Sequence, residues 1–521
     1  MLSIQGLVPR AYQRNILETA KGNNCLMVLP TGLGKTLVAL LLAIERINKL
    51  PTSQVLFMAP TRPLAAQHYE TFKKHISGLD EEFFSLVTGQ IGPKKRKLIW
   101  NSASFIFSTP QCVANDLRNG TLSLQNFSLL IEDECHRCLK NYDYVYVAKV
   151  YKEMAENARI LGLTASPGSD ASVISQICKN LSIEAVEVRT RQSEDVKPYV
   201  KKLKTEFIRV DLPSEFVTIR EHLTKIYNKK IEELKNRGIV FQGQRVTKKT
   251  IIELQVRLRR IINAGNNNFN ILRGISVLAE IMKVQHLYEL LETQCIEAAH
   301  SYARELENEA KKGSSKAVKS LVKNPDFQLA ITKLKGIYGK QEHPKLEMLK
   351  KIVRKMQRQR IMIFAQYRAT VKKIHDELEG IGIKSKVFIG QASREMKGLS
   401  QKEQQAIIRE FSDGKINALV STSIGEEGLD IPEVNLVIFY EPVPSAIRKI
   451  QRAGRTARLK SGKLIVLITR KTRDEAYHYA AFYKERTMHG ILTDMAERLT
   501  RKQSKKQLRL TEFLEAKEAK I

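Results

Sequence analysis

The stretch LLIEDECHRC, residues 129 to 138, contains side chains that could bind a metal. Asp133 and Glu134 directly follow an apolar run, and Cys135, His136 and Cys138 come next. A structural zinc site normally takes four ligands from two closely spaced pairs, whereas the other cysteines are scattered singly along the chain. Carboxylates at the end of a buried strand instead suit Mg²⁺, which keeps few protein ligands and is completed by water and substrate phosphates. We therefore favour a magnesium and phosphate site.

A phosphate-binding loop is expected upstream, in CLMVLPTGLGKTLVALLLAIERI, residues 25 to 47. An apolar strand leads through Thr31 and Gly32 to Gly34, Lys35 and Thr36, which open an amphipathic helix. The backbone N–H groups and the helix N-terminus favour phosphate, Lys35 adds a positive charge, and the Thr36 hydroxyl can bind Mg²⁺. Leu29 occupies the first glycine position of the strict motif, so an ordinary strand-turn-helix stays an alternative. The acid pair about 100 residues later favours a nucleotide site.

The composition points to a polyanionic partner. The 521 residues carry a net charge of +32, with 87 basic and 55 acidic residues. Neutralising phosphates releases counterions and drives binding, so nucleic acid is favoured over a merely lysine-rich surface, in which glutamate would rise as well. With six scattered cysteines and no secretory or membrane-spanning segment, we expect a soluble cytoplasmic protein, associated with the nucleoid if the source is archaeal.

The order of apolar runs predicts the domain organisation. Strand-like runs alternate with helical stretches from about residue 25 to 190 and again after residue 343, which predicts two α/β domains, each with a doubly wound parallel sheet. Between them we expect an all-helical insertion without a convincing strand. The predicted domains are 1–202, 203–335 and 336–495, followed by a basic tail, 496–521.

Eight motifs occur in a fixed order across both α/β domains: PRAYQ (9–13), PTGLGKT (30–36), APTRPLAAQ (59–67), STPQ (108–111), DECH (133–136), TAS (164–166), GEEGLDIP (425–432) and QRAGRTAR (451–458). Together they resemble the superfamily-2 helicases of the DEAH type, which implies two RecA-like domains that face one ATP. The helical insertion and the segments FIGQAS (388–393) and KGLSQKEQ (397–404) resemble the Hef/FANCM branch, which acts on replication forks. In that branch a nuclease domain with an ERKxxxD motif can follow; this sequence has no such motif, and whether a longer protein contains the domain stays open.

The resemblance assigns roles in ATP hydrolysis. Lys35 would hold the β- and γ-phosphates of ATP, Thr36 and Asp133 would hold Mg²⁺, and Glu134 would activate the attacking water. His136, Thr164 and Ser166 would couple the ATP state to domain closure. The remaining nucleotide-site candidates are Arg10 and Gln13 beside adenine, Gly428 and Asp430, Gln451, and the arginine fingers Arg455 and Arg458. Arg452, in the same motif as the fingers, serves either that site or an internal ion pair.

Candidate nucleic-acid contacts lie in all three domains. The resemblance implies contacts from Arg62, Thr109, Gln391 and Thr422. Residues 201 to 260 carry 16 basic and 7 acidic residues, and we expect Lys248, Lys249, Arg257 and Arg260 to contact phosphates of branched DNA, unless they form only a solvated helix face. The expected partners are therefore forks, junctions and single-stranded DNA.

A further motif near the C-terminus suggests a protein partner. QLRLTEFL, Gln507 to Leu514, has the spacing of sliding-clamp-binding peptides, with Phe513 as the aromatic anchor, although an ordinary amphipathic helix would look similar.

Two rival functions stay open at this stage. A duplex-RNA-stimulated ATPase of the RIG-I or Dicer type also carries a helical insertion, but those receptors typically add a zinc domain with four cysteines, and no cysteine follows Cys295. An ATP-independent DNA-binding scaffold could lose Lys35, Glu134, Arg455 or Arg458, and all four are present.

Overall fold

The first sheet contains seven parallel strands. The computed structural model describes residues 1–244, 246–265, 268–313, 315–390, 398–425, 431–456 and 461–518, with side chains up to residue 501. The sheet strands are β2 (Cys25–Val28), β3 (Gln54–Met58), β5 (Phe84–Val87), β6 (Phe105–Ser108), β7 (Phe127–Asp133), β8 (Ile160–Thr164) and β9 (Ala185–Val188), in the order β5-β6-β3-β7-β8-β2-β9. A separate antiparallel pair joins β1 (Ser3–Ile4) to β4 (Ile76–Ser77).

Helices cover both faces of this sheet, which explains why its strands are nearly continuous apolar runs. They are α1 (Ala11–Gly22), α2 (Lys35–Lys49), α3 (Arg62–His75), α4 (Pro93–Ser102), α5 (Pro110–Arg118), α6 (Asp143–Met154) and α7 (Ala171–Asn180). Two apolar clusters, one on each face, bury alternate side chains of the same strands: Leu130 lies in one cluster and Leu129 and Ile131 lie in the other. All carboxyl ends of the strands therefore meet at one edge, where the predicted phosphate loop and acid pair are found.

The second sheet contains six parallel strands in the order β10-β15-β14-β11-β13-β12. They are β10 (Leu203–Val210), β11 (Ile361–Phe364), β12 (Ser385–Phe388), β13 (Ala418–Ser421), β14 (Leu436–Phe439) and β15 (Gly462–Thr469). The accompanying helices are α14 (Pro344–Lys355), α15 (Arg368–Glu379), α16 (Gln401–Ser412), α17 (Ala446–Ala453) and α18 (Arg473–Glu518). The fold class is thus confirmed: two parallel-sheet α/β domains flank an all-helical region.

Between the sheets lies the helical insertion, formed by α8 (Ser214–Asn236), α9 (Lys248–Asn263), α10 (Phe269–Thr293), α11 (Ile296–Lys312), α12 (Lys316–Val322) and α13 (Pro325–Ile337). It has two apolar cores. One joins the first half of α8 and the second half of α10 to α11, α12 and α13, and the other joins the opposite ends of α8 and α10 to α9. The insertion therefore has a base and a smaller outer part, connected by two long helices.

The expected boundary at residue 203 needs correction. Residues 203 to 210 form β10, which pairs along its whole length with β15 at the edge of the second sheet. The strand was missed because an edge strand is exposed on one side, so Lys204 and Glu206 interrupt its apolar residues. The second domain thus takes its edge strand from before the insertion.

The boundary at residue 495 also differs from the structure. Helix α18 has 46 residues and continues through this position without a break. It starts beside the second sheet, and Met488 and Leu492 are then buried in the core of the first domain. Residues 496 to 518 therefore extend a helix that connects the two α/β domains. Among the residues that the structure describes, no helix is both long and apolar enough to cross a membrane.

Candidate nucleotide and nucleic-acid sites

The phosphate loop joins β2 to α2 and has the backbone shape that such loops need. Gly32 and Gly34 have φ angles of +82° and +80°, in the left-handed region that favours glycine. A Cβ atom at Gly34 would collide with the Gln13 side chain. Lys35, the first residue of α2, donates from Nζ to the Leu29 carbonyl at 3.2 Å. The loop therefore leaves the first amides of α2 directed toward an anion site, with Thr31 and Thr36 beside them.

The acid pair stands at the carboxyl end of β7. His68 Nε2 on α3 lies 3.0 Å from Asp133 Oδ2, and Tyr144 donates its hydroxyl to the Asp133 carbonyl at 2.7 Å. Burial alone would raise the pKa of Asp133, but the His68 hydrogen bond and the charges on His68 and Lys35 hold that pKa below its usual value. An ionised, fixed carboxylate next to Lys35 fits a hard cation such as Mg²⁺.

Glu134 is held in an unusual backbone conformation, with φ +50° and ψ +45°. Left-handed geometry is costly for a residue with a Cβ, and such strain is concentrated at functional sites. The Glu134 carboxylate is buried, and His136 Nδ1 lies 3.2 Å from its Oε2. The chain is extended up to Asp133, and the left-handed backbone at Glu134 ends this extended conformation. Glu134 therefore departs from the line of the strand.

His136 also connects the acid pair to the next strand. Its Nδ1 lies 3.2 Å from Thr164 Oγ1 at the end of β8, and Thr164 Oγ1 accepts a hydrogen bond from the Ser166 amide at 3.1 Å. Ser166 Oγ in turn donates to Met488 Sδ of α18 at 2.9 Å. The three predicted coupling residues are therefore brought together, and they link Glu134 to the helix that arrives from the second domain.

Cys135 and Cys138 lie in the apolar core. Both are fully buried, and burial raises the pKa of the Cys135 thiol. A Cβ atom at Gly162 of β8 would lie 3.1 Å from Cys135 Sγ, so the cysteine packs tightly against the sheet. A buried protonated thiol fits a packing role, whereas a metal ligand must be deprotonated.

The second domain closes onto the phosphate loop through α17. Gly454, just after this helix, lies so near Thr31 that a Cβ atom there would overlap Thr31 Oγ1. Gln451 and Arg455, within three residues of Gly454 in the sequence, are both buried. The two segments predicted to share one nucleotide are thus in direct contact. Arg458, Gly428 and Asp430, also predicted for this site, lie outside the described residues.

Arg452 belongs to the interior of the second domain. Its guanidinium carbon lies 4.9 Å from the centre of the Phe364 ring and 5.6 Å from that of Phe439. Burial raises the pKa of Glu441 to about 7, although the positive charge of Arg452 acts in the opposite direction and lowers this pKa. Of the two roles left open by the sequence, the internal one fits this position.

Gln13 and Arg10 make their contacts within the protein. Gln13 Nε2 donates to the Leu33 carbonyl at 3.1 Å, while its Oε1 accepts from the Arg10 amide at 2.8 Å. Tyr12 donates to the same Leu33 carbonyl at 2.7 Å, and the Arg10 guanidinium lies 5.0 Å from the centre of the Tyr199 ring. Tyr12 and Gln13 therefore hold the phosphate loop through the Leu33 carbonyl, and Arg10 lies against Tyr199.

A second cleft, of about 490 Å³, opens between the two α/β domains. Its lining residues are Thr61, Arg137, Gln366, Arg368, Gly390, Thr422, Ser423 and Ile424. Thr422 is thus placed in an interdomain cleft, and Arg62 follows Thr61 with its Nε buried and without a hydrogen-bond partner among the described residues. Thr109 precedes α5 in the first domain. Gln391 lies outside the described residues.

Sequence reasoning missed His68, Arg137, Gln366 and Arg368. For His68 a signal existed, because it follows the motif APTRPLAAQ and shares a helical face with the apolar Ala65 and Phe72. A histidine on such a face needs a buried polar partner. Arg137 lies within the stretch LLIEDECHRC, but no sequence pattern of this kind indicated a role for it.

The predicted basic residues of α9 are all exposed. Arg257 and Arg260 are exposed, and Lys249 forms an exposed ion pair with Glu253 at 3.7 Å. Lys248 differs because its Nζ lies 3.3 Å from the buried Glu289. The side chains of Gln507 to Leu514 lie outside the described residues.

The two parallel-sheet domains combine a phosphate loop, an acid pair and a buried arginine at one cleft. This combination defines an ATP-dependent helicase core of superfamily 2. Family models match in the same order: "DEAD/DEAH box helicase" over residues 10–174, "Putative ATP-dependent RNA helicase, helical bundle" over 215–341, and "Helicase conserved C-terminal domain" over 344–460. The crystal structure of the Pyrococcus furiosus Hef helicase domain is 42% identical, with a TM-score of 0.70, and the match covers 91% of this chain and 98% of that one. The chain belongs to the Hef/FANCM branch of superfamily-2 helicases.

Longer relatives share the whole helicase region. A Methanocaldococcus jannaschii protein named "Putative ATP-dependent RNA helicase" is 42% identical over 501 residues, which are 95% of this chain and 62% of that protein. The "ATP-dependent DNA helicase fml1" of Schizosaccharomyces pombe is 33% identical over 482 residues, 88% of this chain and 57% of that protein. The chain thus spans less than two thirds of the length of both relatives.

Proposed function

We propose that this chain is an ATP-dependent DNA helicase or translocase that acts on branched DNA, such as forks and junctions, in DNA repair and the processing of stalled forks. The observation that carries the proposal is the contact of Gly454 with Thr31, in which the segment of the second domain that contains Gln451 and Arg455 meets the phosphate loop of the first domain. ATP held between two domains can drive their closure, and this motion is what a translocase needs.

In the proposed reaction, Lys35 and the amides of the loop bind the phosphates of ATP. Thr36 and Asp133 would hold Mg²⁺, which neutralises phosphate charge when bound. Glu134 orients the attacking water and accepts its proton. Arg455, together with Arg458, stabilises the charge that develops on the transferred phosphate, and it does so only when the domains are closed. Hydrolysis is therefore coupled to domain motion.

Four observations support a nucleic-acid substrate, and the last of them favours DNA. The net charge of +32 fits a polyanion, and exposed basic residues cover α9 of the insertion. The interdomain cleft with Thr422 offers a path for one strand. In addition, the S. pombe relative is named a DNA helicase. Branched DNA follows from the position of the insertion, because a basic surface outside the two motor domains can hold a second arm.

The second candidate is a duplex-RNA-stimulated ATPase. The names of two similar proteins favour it, since the helical-bundle family and the M. jannaschii relative are both described as RNA helicases. A motor that grips phosphates does not by itself distinguish DNA from RNA.

Steady-state ATPase activity with matched nucleic acids separates the candidates. Forked DNA, single-stranded DNA, blunt duplex DNA and duplex RNA of equal length are compared at one salt concentration, with Lys35→Ala as the inactive control. We expect the highest kcat/KM with forked DNA and lower activity with single-stranded DNA. Stronger stimulation by duplex RNA would replace the proposed function with the second candidate, and no stimulation by any nucleic acid would contradict both.

A further inference from the structure

Two phenylalanine side chains are exposed at the outer end of the insertion. Phe241, in the connection between α8 and α9, is 68% exposed, and Phe269, the first residue of α10, is 77% exposed. Leu272, one turn further along α10, is 48% exposed. Large apolar side chains that are this exposed within one small helical unit mark an interaction surface. We call Phe241 and Phe269 the aromatic tip.

Both phenylalanines belong to the outer part of the insertion, which α9 forms with the adjoining ends of α8 and α10. Arg237, at the end of α8, donates from Nη1 to Asn270 Oδ1 at 3.0 Å, and Asn270 Nδ2 donates back to the Arg237 carbonyl at 3.2 Å. Ile239 packs so closely on Gly274 of α10 that a Cβ atom at Gly274 would collide with it. These contacts fix the segment that leads to Phe241 against the first turns of α10, where Phe269 lies.

The surface beneath the tip is ordered by charge pairs. Glu233 of α8 binds Arg273 of α10 at 2.7 Å and Arg237 at 3.3 Å. Arg273 also reaches the fully buried Glu280 at 3.1 Å. These ion pairs hold the backbone beneath the aromatic tip in place, so the exposed rings lose little conformational freedom when a flat partner binds them.

The charge around the tip identifies that partner. Residues 235 to 273 contain nine basic residues and one acidic residue. Exposed aromatic rings within a cationic surface are the features of a stacking platform, on which bases stack while phosphates meet the surrounding charges. Paired bases in a duplex are already stacked on one another, whereas bases at a branch point are accessible. Unpaired bases at a junction are therefore the occupant that fits both the rings and the charge.

We propose that Phe241 and Phe269 stack on unpaired bases at the branch point of forked DNA. This inference rests on the proposed function and adds a base contact to a surface that otherwise recognises phosphates. It also separates two roles: the rings of the tip detect open bases, whereas the basic residues of α9 supply affinity that depends on salt.

The test uses the full chain and a fork with 2-aminopurine at the branch point. Fluorescence reports stacking, and anisotropy at several salt concentrations gives the affinity. For Phe241→Ala with Phe269→Ala, we expect the protein-induced change in 2-aminopurine fluorescence to be lost and fork affinity to fall about tenfold or more, with the slope of log affinity against log salt unchanged. Phe241→Tyr with Phe269→Tyr should restore both signals because the rings remain.

Two controls separate stacking from other effects. Phe207→Ala removes a phenylalanine that is 40% exposed on β10, a strand of the second sheet outside the insertion, and should leave fork binding unchanged. Arg257→Ala with Arg260→Ala should reduce the salt slope while keeping the fluorescence change. Thermal unfolding of each variant checks that its fold is intact.

Different results would overturn different claims. If the alanine variant binds forks with the wild-type affinity and fluorescence, the stacking role is wrong. A shift of that variant from dimer to monomer in sedimentation, with fork binding intact, would assign the tip to self-association and would equally overturn the proposal. If the wild-type chain itself binds forks no better than single strands, the proposed function fails and the stacking role fails with it.

Discussion

Glu134 carries the clearest prediction at the residue scale. Replacing it with Gln keeps the shape of the side chain but removes the carboxylate that accepts a proton, so kcat should fall by roughly 10²- to 10⁴-fold while ATP and DNA still bind. Nucleotide binding by fluorescence and turnover by phosphate release measure the two effects separately. Glu153→Gln, a change in an exposed glutamate on α6, is the matched control. Wild-type turnover in Glu134→Gln would exclude the proposed role.

His68 should act on the magnesium site through Asp133. Its Nε2 lies 3.0 Å from Asp133 Oδ2, and residues that hold a metal ligand in place typically change metal affinity by about 10- to 100-fold when they are removed. We therefore expect His68→Ala to shift the Mg²⁺ concentration for half-maximal ATPase activity upward by about tenfold. His75→Ala, at the end of the same helix, is the control. An unchanged Mg²⁺ dependence would show that Asp133 is positioned without His68.

Arg455 and Arg452 should respond differently to the same substitution. Arg455→Ala should lower kcat by roughly 10³-fold with little change in KM, because an arginine finger acts on the transition state, and Arg458→Ala should behave similarly. Arg452→Ala should instead lower the melting temperature, since its guanidinium packs on Phe364 and Phe439 inside the second domain. The assignment fails if Arg455→Ala changes only KM or if Arg452→Ala leaves the melting temperature unchanged.

At this scale the sequence predicted the positions that follow from motif spacing. Lys35 and Asp133 were identified because phosphate and Mg²⁺ binding demand those residue types at those points in the chain, and His136 was identified through the family resemblance. His68 and Arg137 could not be placed in the same way, because their roles depend on which helix faces which strand. The distinction between Arg452 and Arg455 also needed the structure, since the two residues are only three apart but point to different environments.

Helix α18 is the element that joins the two α/β domains. Met488 and Leu492 are buried in the core of the first domain, although the helix begins beside the second sheet. Leu492→Ala should destabilise the protein by about 2–5 kcal/mol, the range for a buried leucine, whereas the exposed Thr493→Ala should have little effect. Thermal unfolding measures both. Equal melting temperatures for the two variants would mean that the helix is not anchored in the first domain.

The end of α18 contains the predicted clamp-binding motif. We propose that Gln507, Leu510, Phe513 and Leu514 bind a sliding clamp. Calorimetry with a peptide of residues 500 to 521 should show binding that is lost in a peptide with Phe513→Ala and Leu514→Ala. No heat of binding with the unchanged peptide would end the proposal.

Helices and strands with a strong hydrophobic pattern were predicted, whereas those that mix apolar and polar residues were not. The buried strands and α2 follow from continuous apolar runs and helical spacing. The edge strand β10 was missed because half of it faces solvent, and α18 was divided because nothing in its sequence shows that its middle is buried in the other domain. Both errors arise from long-range contacts that local patterns do not contain.

For the whole molecule, the arrangement of charge predicts how DNA is held. Lys248 pairs with the buried Glu289, so it is the least available of the four predicted α9 contacts. Replacing Lys249, Arg257 and Arg260 with Ala should therefore reduce the salt slope of junction binding by about 2 to 3, close to one per lost phosphate contact. Affinity for three- and four-way junctions should fall more than affinity for single strands. Equal losses on single strands and junctions would show that the insertion does not distinguish branches.

The central claim is that ATP hydrolysis between the two domains moves strands of branched DNA. Its most direct measurement is the release of a fluorescent strand from a synthetic fork in the presence of ATP and Mg²⁺. We predict release by the wild-type chain, none by Glu134→Gln, and none from a duplex RNA of the same length. ATP hydrolysis without strand movement on forks or four-way junctions, or faster release from the duplex RNA, would contradict the account.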